Sequence, residues 1–195
     1  MDTHFALDRP LEAVGALLAR RRQNAAIVVV GGTALNLLGV LSRSTADVDV
    51  IAVAAVPPAG PPTTIANPTP LPPHLSEVVP TVARDFDIPT NWLNTVVGAQ
   101  WDTGLPPEFD TRVSWRQTGG LWIGLPDRVD LIFLKLYAAT DAGSPASRHF
   151  TDLMALQPAR EELEEAARWI HTQDPSPAMD EMVAQVVTYA VERTA

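Results

Sequence analysis

Apolar and polar positions change their spacing several times along the chain, and each change predicts a new element. Residues 26–30 form a short, β-branched apolar run that predicts a buried strand. After Gly31 and Gly32, which we call the glycine corner, leucines recur at helical spacing and predict a helix that Thr33 caps. In residues 47–51 two aspartates alternate with apolar residues, so a strand here places both carboxylates on one face.

The same periodicities divide the rest of the chain into helices and one hairpin. Residues 57–73 are rich in proline, which disfavours regular structure there. Residues 109–124 alternate around a Thr-Gly-Gly turn, which is typical of a β-hairpin that extends a sheet. Apolar residues at helical spacing predict helices over residues 75–86 and 128–139 and around residues 148–152. Four further helices are expected to begin near Asp8, after Thr90, at about Pro158 and at Ser176.

The glycine corner and the two aspartates suggest a chemistry. Backbone N–H groups at a strand-to-helix turn attract anions, and residues without side chains let a phosphate approach closely. A tight turn explains a glycine pair equally well. Asp47 and Asp49 repel each other on a largely apolar strand unless a cation lies between them, and Mg2+ takes such oxygen ligands together with phosphates. Solvated charges on a half-exposed strand are the alternative.

Composition narrows the classes of function. The chain has 195 residues, enough for one substantial core or for a core with a small helical appendage. Its net charge of −9 argues against a general nucleic-acid binder, but it allows a small anionic substrate or a transient RNA end at a local basic patch. Cysteine is absent and the four histidines are scattered, so neither a disulfide nor a zinc site is expected. We find no apolar run that would span a membrane and no leader pattern, and we expect a cytoplasmic protein.

One motif of the chain resembles the signature of the polymerase-β-type nucleotidyltransferases: Gly31-Gly32-Thr33, followed by Arg43-x-Thr45-x-Asp47-Val48-Asp49. It is similar in particular to the AbiEii-like branch, which includes the MenT toxins of toxin–antitoxin systems. The later lysine and aspartate of that branch correspond to Lys135 and Asp152. The resemblance implies an α/β (α+β) nucleotidyltransferase fold, with a small mixed sheet flanked by helices and a C-terminal helical lobe. It places the core domain at residues 1–126 and a helical region packed on it at 127–195.

The resemblance also implies a role for each motif residue in the Mg2+-dependent transfer of a nucleotide from a nucleoside triphosphate to an acceptor hydroxyl. Asp47 and Asp49 bind Mg2+ or Mn2+, and Lys135 stabilises the departing pyrophosphate. Asp152 orients Lys135, accepts the proton of the attacking hydroxyl, or binds metal. The residues that bind the nucleotide are then Gly31, Gly32, Thr33, Arg43, Thr45 and Arg148.

The acceptor and the macromolecular partners are less constrained. Resemblance to the toxin branch implies an RNA end, such as a tRNA 3′ terminus, whereas a protein hydroxyl or a small molecule is equally compatible with the residues. The same resemblance implies an antitoxin protein as partner. The cluster Arg20-Arg21-Arg22 could receive a nucleic-acid backbone, but a solvated helix C-terminus accounts for it better.

Several features have structural alternatives. Related enzymes commonly place a third carboxylate on a later strand, which here would be Asp110, Asp127 or Asp130 unless two carboxylates and substrate oxygens suffice. Lys135 could instead extend to water, and Arg148 could form an ordinary surface pair with Asp152. Trp92 is expected in the core rather than stacked on a base. The second hypothesis is a non-catalytic module of the same fold that binds a nucleotide or a protein. It is favoured by the doubtful third carboxylate, by Thr151 where related proteins have a lysine, and by the acidic composition.

Overall fold

A computed structural model describes residues 7–194, and these residues form two compact units. Of the described residues, the first unit takes those up to Asp102 together with Glu108–Pro126. The second unit takes Thr103–Pro107 and the residues from Asp127 onward. Each unit has its own buried apolar residues.

The first unit is built on a six-stranded mixed sheet in the order β3-β2-β1-β6-β5, with β4 paired to β2. β1 lies in the middle of the sheet and all six of its residues are buried, as its unbroken apolar run predicts. It pairs antiparallel with β2 and parallel with β6. The strands are β1 (Ala25–Val30), β2 (Val48–Ala54), β3 (Ile65–Ala66), β4 (Leu93–Asn94), β5 (Ser114–Thr118) and β6 (Leu121–Leu125).

Helices flank this sheet, and the short helix α2 joins its two central antiparallel strands. α1 packs on α3 and on β6, while α2 contacts both β1 and β2. The small mixed sheet flanked by helices confirms the predicted fold class and is consistent with the nucleotidyltransferase fold. The helices of this unit are α1 (Asp8–Arg20), α2 (Gly31–Leu37) and α3 (Pro73–Phe86), with 3-10 helices at Val96–Asp102 and Phe109–Arg112.

The described part of the second unit is helical apart from its connections, as the sequence predicts for the C-terminal region. α4 contacts each of the other three helices, and its Phe133 and Tyr137 rings pack against Trp169. Ser176 accepts a hydrogen bond from the backbone N–H of Met179, so it caps the last helix as predicted. The helices are α4 (Arg128–Asp141), α5 (Arg148–Ala155), α6 (Arg160–Gln173) and α7 (Pro177–Thr194). None of the helices within residues 7–194 combines the length and the apolar character needed to cross a bilayer.

Two local predictions for the first unit are wrong. The expected helix after Thr90 is replaced by β4, because the N–H of Val48 bonds to the carbonyl of Trp92 and β4 pairs in parallel with β2. Trp92 lies in the core as predicted, fully buried and donating its indole N–H to the carbonyl of Val79. The proline-rich stretch 57–73 contains the short strand β3, although no regular structure was expected there.

Candidate active site

The glycine corner packs directly on β2. In the antiparallel register of β1 and β2, Val30 lies opposite Asp49, so the chain turns into α2 beside that carboxylate. Gly31 has φ +69°, a left-handed conformation that favours glycine. A Cβ atom at Gly31 would collide with Oδ2 of Asp49, and one at Gly32 would lie 2.5 Å from Cγ2 of Thr45 and 3.2 Å from Nη2 of Arg43. Only residues without side chains therefore allow this close approach of the corner to Asp49 and Thr45.

The two motif aspartates differ in environment. Asp49 lies within β2 between Val48 and Val50, which are fully buried, and is itself half-buried. Asp47 immediately precedes the strand and is exposed. The motif thus provides one carboxylate held against the glycine corner and a second at the solvent boundary. Of these two, Asp49 is the one whose surroundings restrict it more.

Thr33 links α2 to the segment that leads into β2. Its hydroxyl donates a hydrogen bond to the carbonyl of Asp47 at 2.7 Å and lies 3.2 Å from the hydroxyl of Thr45. Both threonines are buried. The expectation that Thr33 caps α2 is wrong: the residue before the helix is Val30, and no side chain caps the first turn. The Thr33 hydroxyl instead donates to the backbone carbonyl of Asp47, so it holds the backbone of the motif in place.

Asn94 joins this site although it was not predicted as a site residue. Asn94 on β4 lies opposite Asp49 on β2, and its Nδ2 lies 3.4 Å from Oδ1 of Asp49. Its own Oδ1 accepts a hydrogen bond from the N–H of Val96 at 3.1 Å. The signal that would have identified it is the parallel pairing of β4 with β2, which a two-residue strand does not reveal in the sequence.

The three candidates for a third carboxylate occupy different settings. Asp110 is exposed in a 3-10 helix of the first unit. In the second unit Asp127 caps α4, accepting a hydrogen bond from the N–H of Val129, and Asp130 is fully buried in that helix. Within residues 7–194 no group of three or more Asp, Glu, His or Cys side chains is arranged to hold a metal ion.

Lys135 and Asp152 form an internal ion pair of the second unit. Nζ of Lys135 donates to Oδ2 of Asp152 at 2.7 Å, and the two side chains are 7% and 1% exposed. The alternative in which Lys135 extends to water is therefore wrong, and Asp152 does hold the lysine as expected. Arg148 lies exposed at the start of the same helix as Asp152. Partial desolvation and the Lys135 charge lower the pKa of the adjacent His149, against the opposing charge of Asp152.

The basic cluster at the end of α1 behaves as a solvated helix terminus. Arg20, Arg21 and Arg22 are exposed, and Nη1 of Arg21 lies 3.1 Å from Oε2 of Glu77 on α3. An exposed pair of this kind contributes little to stability. Nothing in this arrangement brings the cluster into the site around Asp49.

The part of the chain that is similar to a known protein family lies in the first unit. Residues 6–59 match the model of a family described as "Nucleotidyltransferase of unknown function (DUF6036)". No curated protein and no solved structure matches the chain. The matched segment contains the glycine corner, Thr33, Asp47 and Asp49, so the match covers the motif whose geometry is described above. It supports a nucleotidyltransferase family for this chain, without distinguishing the AbiEii-like branch from others.

Proposed function

We propose that this protein is a Mg2+-dependent nucleotidyltransferase that transfers a nucleotide from a nucleoside triphosphate to an acceptor hydroxyl. The observation that carries the proposal is the contact between the glycine corner and Asp49, whose Oδ2 occupies the space that a side chain at Gly31 would fill. A phosphate seated on the corner would lie beside that carboxylate. A divalent cation is the group that makes such a juxtaposition favourable.

The donor set fits a hard divalent cation. Asp49 and Asp47 offer carboxylate oxygens, which Mg2+ and Mn2+ both accept, and substrate phosphates complete the coordination in enzymes of this kind. When bound, the cation polarises the α-phosphate and lowers the pKa of the attacking hydroxyl. Asp49 is the stronger ligand candidate because β2 and the corner already fix its position, whereas Asp47 stands at the strand entrance.

The other residues of the chain bind, orient and neutralise charge in this proposal. Gly31 and Gly32 admit the phosphates, and Arg43, whose guanidinium lies against Gly32, offsets their charge. Thr33 and Thr45, which the resemblance assigns to nucleotide binding, face each other through their hydroxyls, and Thr33 also donates to the carbonyl of Asp47. By the resemblance, Lys135, which pairs with Asp152 in the second unit, is assigned to the departing pyrophosphate, and Arg148 is assigned to the phosphates.

The proposal extends to the acceptor of the nucleotide and to a partner protein. The motif resembles the AbiEii-like branch with its MenT toxins, which supports an RNA 3′ end such as that of tRNA as acceptor, and an antitoxin as the partner that restrains the activity. The net charge of −9 favours a transient docking of RNA over stable coating of the protein.

A transfer assay tests the proposed function. Purified protein is incubated with each α-labelled nucleoside triphosphate, Mg2+ and total RNA, and the label in RNA, in protein and in small molecules is separated on a gel. We expect the wild type to transfer label, and Asp49→Asn and Asp47→Asn to lose at least a hundredfold in rate. Asp85→Asn is the matched control, because Asp85 is an exposed aspartate of the same unit paired with Arg84. Equal activity in Asp49→Asn and wild type would refute the assignment of the site.

A non-catalytic nucleotide-binding module is the second candidate. Two observations favour it: the described residues lack a three-carboxylate cluster, and Lys135 is buried against Asp152. Equilibrium dialysis with labelled nucleoside triphosphates separates the two candidates. Binding that depends on Asp49, with no label transferred to any acceptor fraction, would support the module over the enzyme.

A further inference from the structure

Asn94 is held in one orientation beside Asp49. The N–H of Val96 lies 3.1 Å from Oδ1 of Asn94, and because an N–H needs an acceptor, this contact fixes which end of the amide is the carbonyl. The amide Nδ2 then has to point the other way, and it lies 3.4 Å from Oδ1 of Asp49. The orientation of Asn94 thus follows from the turn at Val96 and from the parallel pairing of β4 with β2.

This arrangement restricts the Asp49 carboxylate on both sides. Oδ2 lies against Gly31, and Oδ1 faces the amide of Asn94. Rotation of the carboxylate would move Oδ1 away from this donor. At 3.4 Å the hydrogen bond from Asn94 is long, so its own contribution to the stability of the fold is small.

The neutral charge of Asn94 is as relevant as its hydrogen bond. An aspartate would satisfy Val96 equally well, because a carboxylate oxygen also accepts an N–H. It would, however, replace a donor to Asp49 by a like charge at the same distance, which disfavours two ionised groups. The turn alone therefore does not require an asparagine here, whereas contact with Asp49 does.

We propose that Asn94 is a positioning residue that fixes the direction of the Asp49 carboxylate toward a bound divalent cation. The proposal rests on the proposed function, since it assigns the cation to Asp49. Outer partners of metal-binding carboxylates typically change affinity or activity by about 10- to 100-fold when removed. We expect an effect of that size at Asn94, although it touches neither substrate nor metal in this proposal.

The chain offers a matched control in Asn67. Its Oδ1 accepts a hydrogen bond from the N–H of Thr69 at 2.9 Å, the same two-residue turn that Asn94 makes with Val96. Asn67→Ala and Asn67→Asp therefore disturb an equivalent turn of the same unit. Comparison of the two positions separates the turn from the contact with Asp49.

The experiment measures Mn2+ binding without nucleotide, from the electron paramagnetic resonance signal of the free ion, and then kcat and KM for the transferred nucleotide. Circular dichroism and melting temperature verify that each variant is folded. For Asn94→Ala we expect Mn2+ affinity and kcat to fall about tenfold or more, with KM changed less than threefold. For Asn94→Asp we expect Mn2+ to bind at least as tightly as in the wild type while kcat stays about tenfold lower, because the added charge attracts the ion but no longer directs Asp49. Both Asn67 variants should remain within twofold of the wild type.

The outcomes that overturn the proposal are distinct from those that overturn the proposed function. If Asp49→Asn abolishes Mn2+ binding while both Asn94 variants match the wild type, or if Asn67→Ala reproduces the loss seen in Asn94→Ala, the positioning role is wrong and the metal site stands. If Asn94→Asp matches the wild type in both Mn2+ affinity and kcat, Asn94 serves the turn alone. If the wild type binds no Mn2+, or Asp49→Asn binds it equally well, the metal site fails and the role of Asn94 fails with it.

Discussion

Replacing Lys135 by methionine should strongly destabilise the second unit, because it removes the ammonium that faces a buried carboxylate. Asp152 is 1% exposed and accepts from Nζ of Lys135 at 2.7 Å. Methionine preserves most of the side-chain volume, so the change isolates the charge and the hydrogen bond from packing. Removing one partner of a buried ion pair typically costs about 3–5 kcal/mol of stability.

The magnitude translates into a measurable denaturation shift. Small proteins lose about 1–3 kcal/mol of stability per molar urea, and at a slope of about 2 kcal/mol per molar a loss of about 3–5 kcal/mol lowers the urea midpoint by roughly 1.5–2.5 M. Asp152→Leu should cause a loss of similar size, since it leaves the ammonium among apolar side chains. The double variant Lys135→Met/Asp152→Leu should be much closer to wild type than the sum of the two, because no uncompensated charge remains.

Urea titration followed by circular dichroism measures these shifts, and amine acylation gives an independent check. The sequence contains a single lysine, so any acylated side-chain amine is Lys135, and the α-amino group serves as the internal reference. Acylation of folded wild type should be slow relative to that reference and should accelerate in urea. The reasoning would be refuted by a midpoint shift below about 0.5 M in Lys135→Met, additive losses in the double variant, and rapid acylation of the folded protein.

Three further predictions concern the corner and the neighbourhood of the ion pair. Gly31→Ala should abolish transfer and lower the melting temperature more than Gly39→Ala. Both glycines have a positive φ, +69° at Gly31 and +73° at Gly39, but only a Cβ at Gly31 would meet Asp49. Equal effects in the two variants would contradict the contact. Thr33→Val should destabilise by about 0.5–1.5 kcal/mol in urea titration, because it removes the partly buried hydrogen bond to the Asp47 carbonyl. The lowered pKa of His149 means that the unfolded chain takes up more protons as the pH falls below about 6.5, so stability declines there. His149→Gln should reduce the difference between urea midpoints at pH 5.5 and 7.5, and an unchanged difference would exclude this origin.

Local periodicity was sufficient to predict the elements that carry the motif. The apolar run of β1, the glycine corner and the alternation around Asp49 each depend on neighbours a few residues away, and the structure confirms all three elements. Local periodicity does not predict that Asp49 lies against Gly31, because this contact depends on the antiparallel register that sets Val30 opposite Asp49. The assigned roles of these residues stay predictions.

The errors have the same physical origin. Trp92, Leu93 and Val96 stand at helical spacing, yet pairing with β2 makes Leu93–Asn94 a strand and leaves Val96 79% exposed. Tertiary pairing here overrides a weak local preference. The pairing of Lys135 with Asp152, by contrast, was expected from the resemblance alone, because the partner lies one helix away and no spacing rule within α4 locates it.

Charge at the corner couples anion binding to cation binding in the proposed reaction. Two unit charges about 4 Å apart interact by about 4 kcal/mol at an effective dielectric constant of about 20, so a phosphate on Gly31 would be opposed by Asp49 to that extent. Arg43 reduces this opposition from the side of Gly32, and the neutral amide of Asn94 adds none. A divalent cation bound to Asp49 would turn this electrostatic repulsion between the carboxylate and the phosphate into a net attraction for the phosphate. An anion site placed against a carboxylate is therefore useful for a nucleotide that arrives with its metal, and poorly suited to a free phosphate.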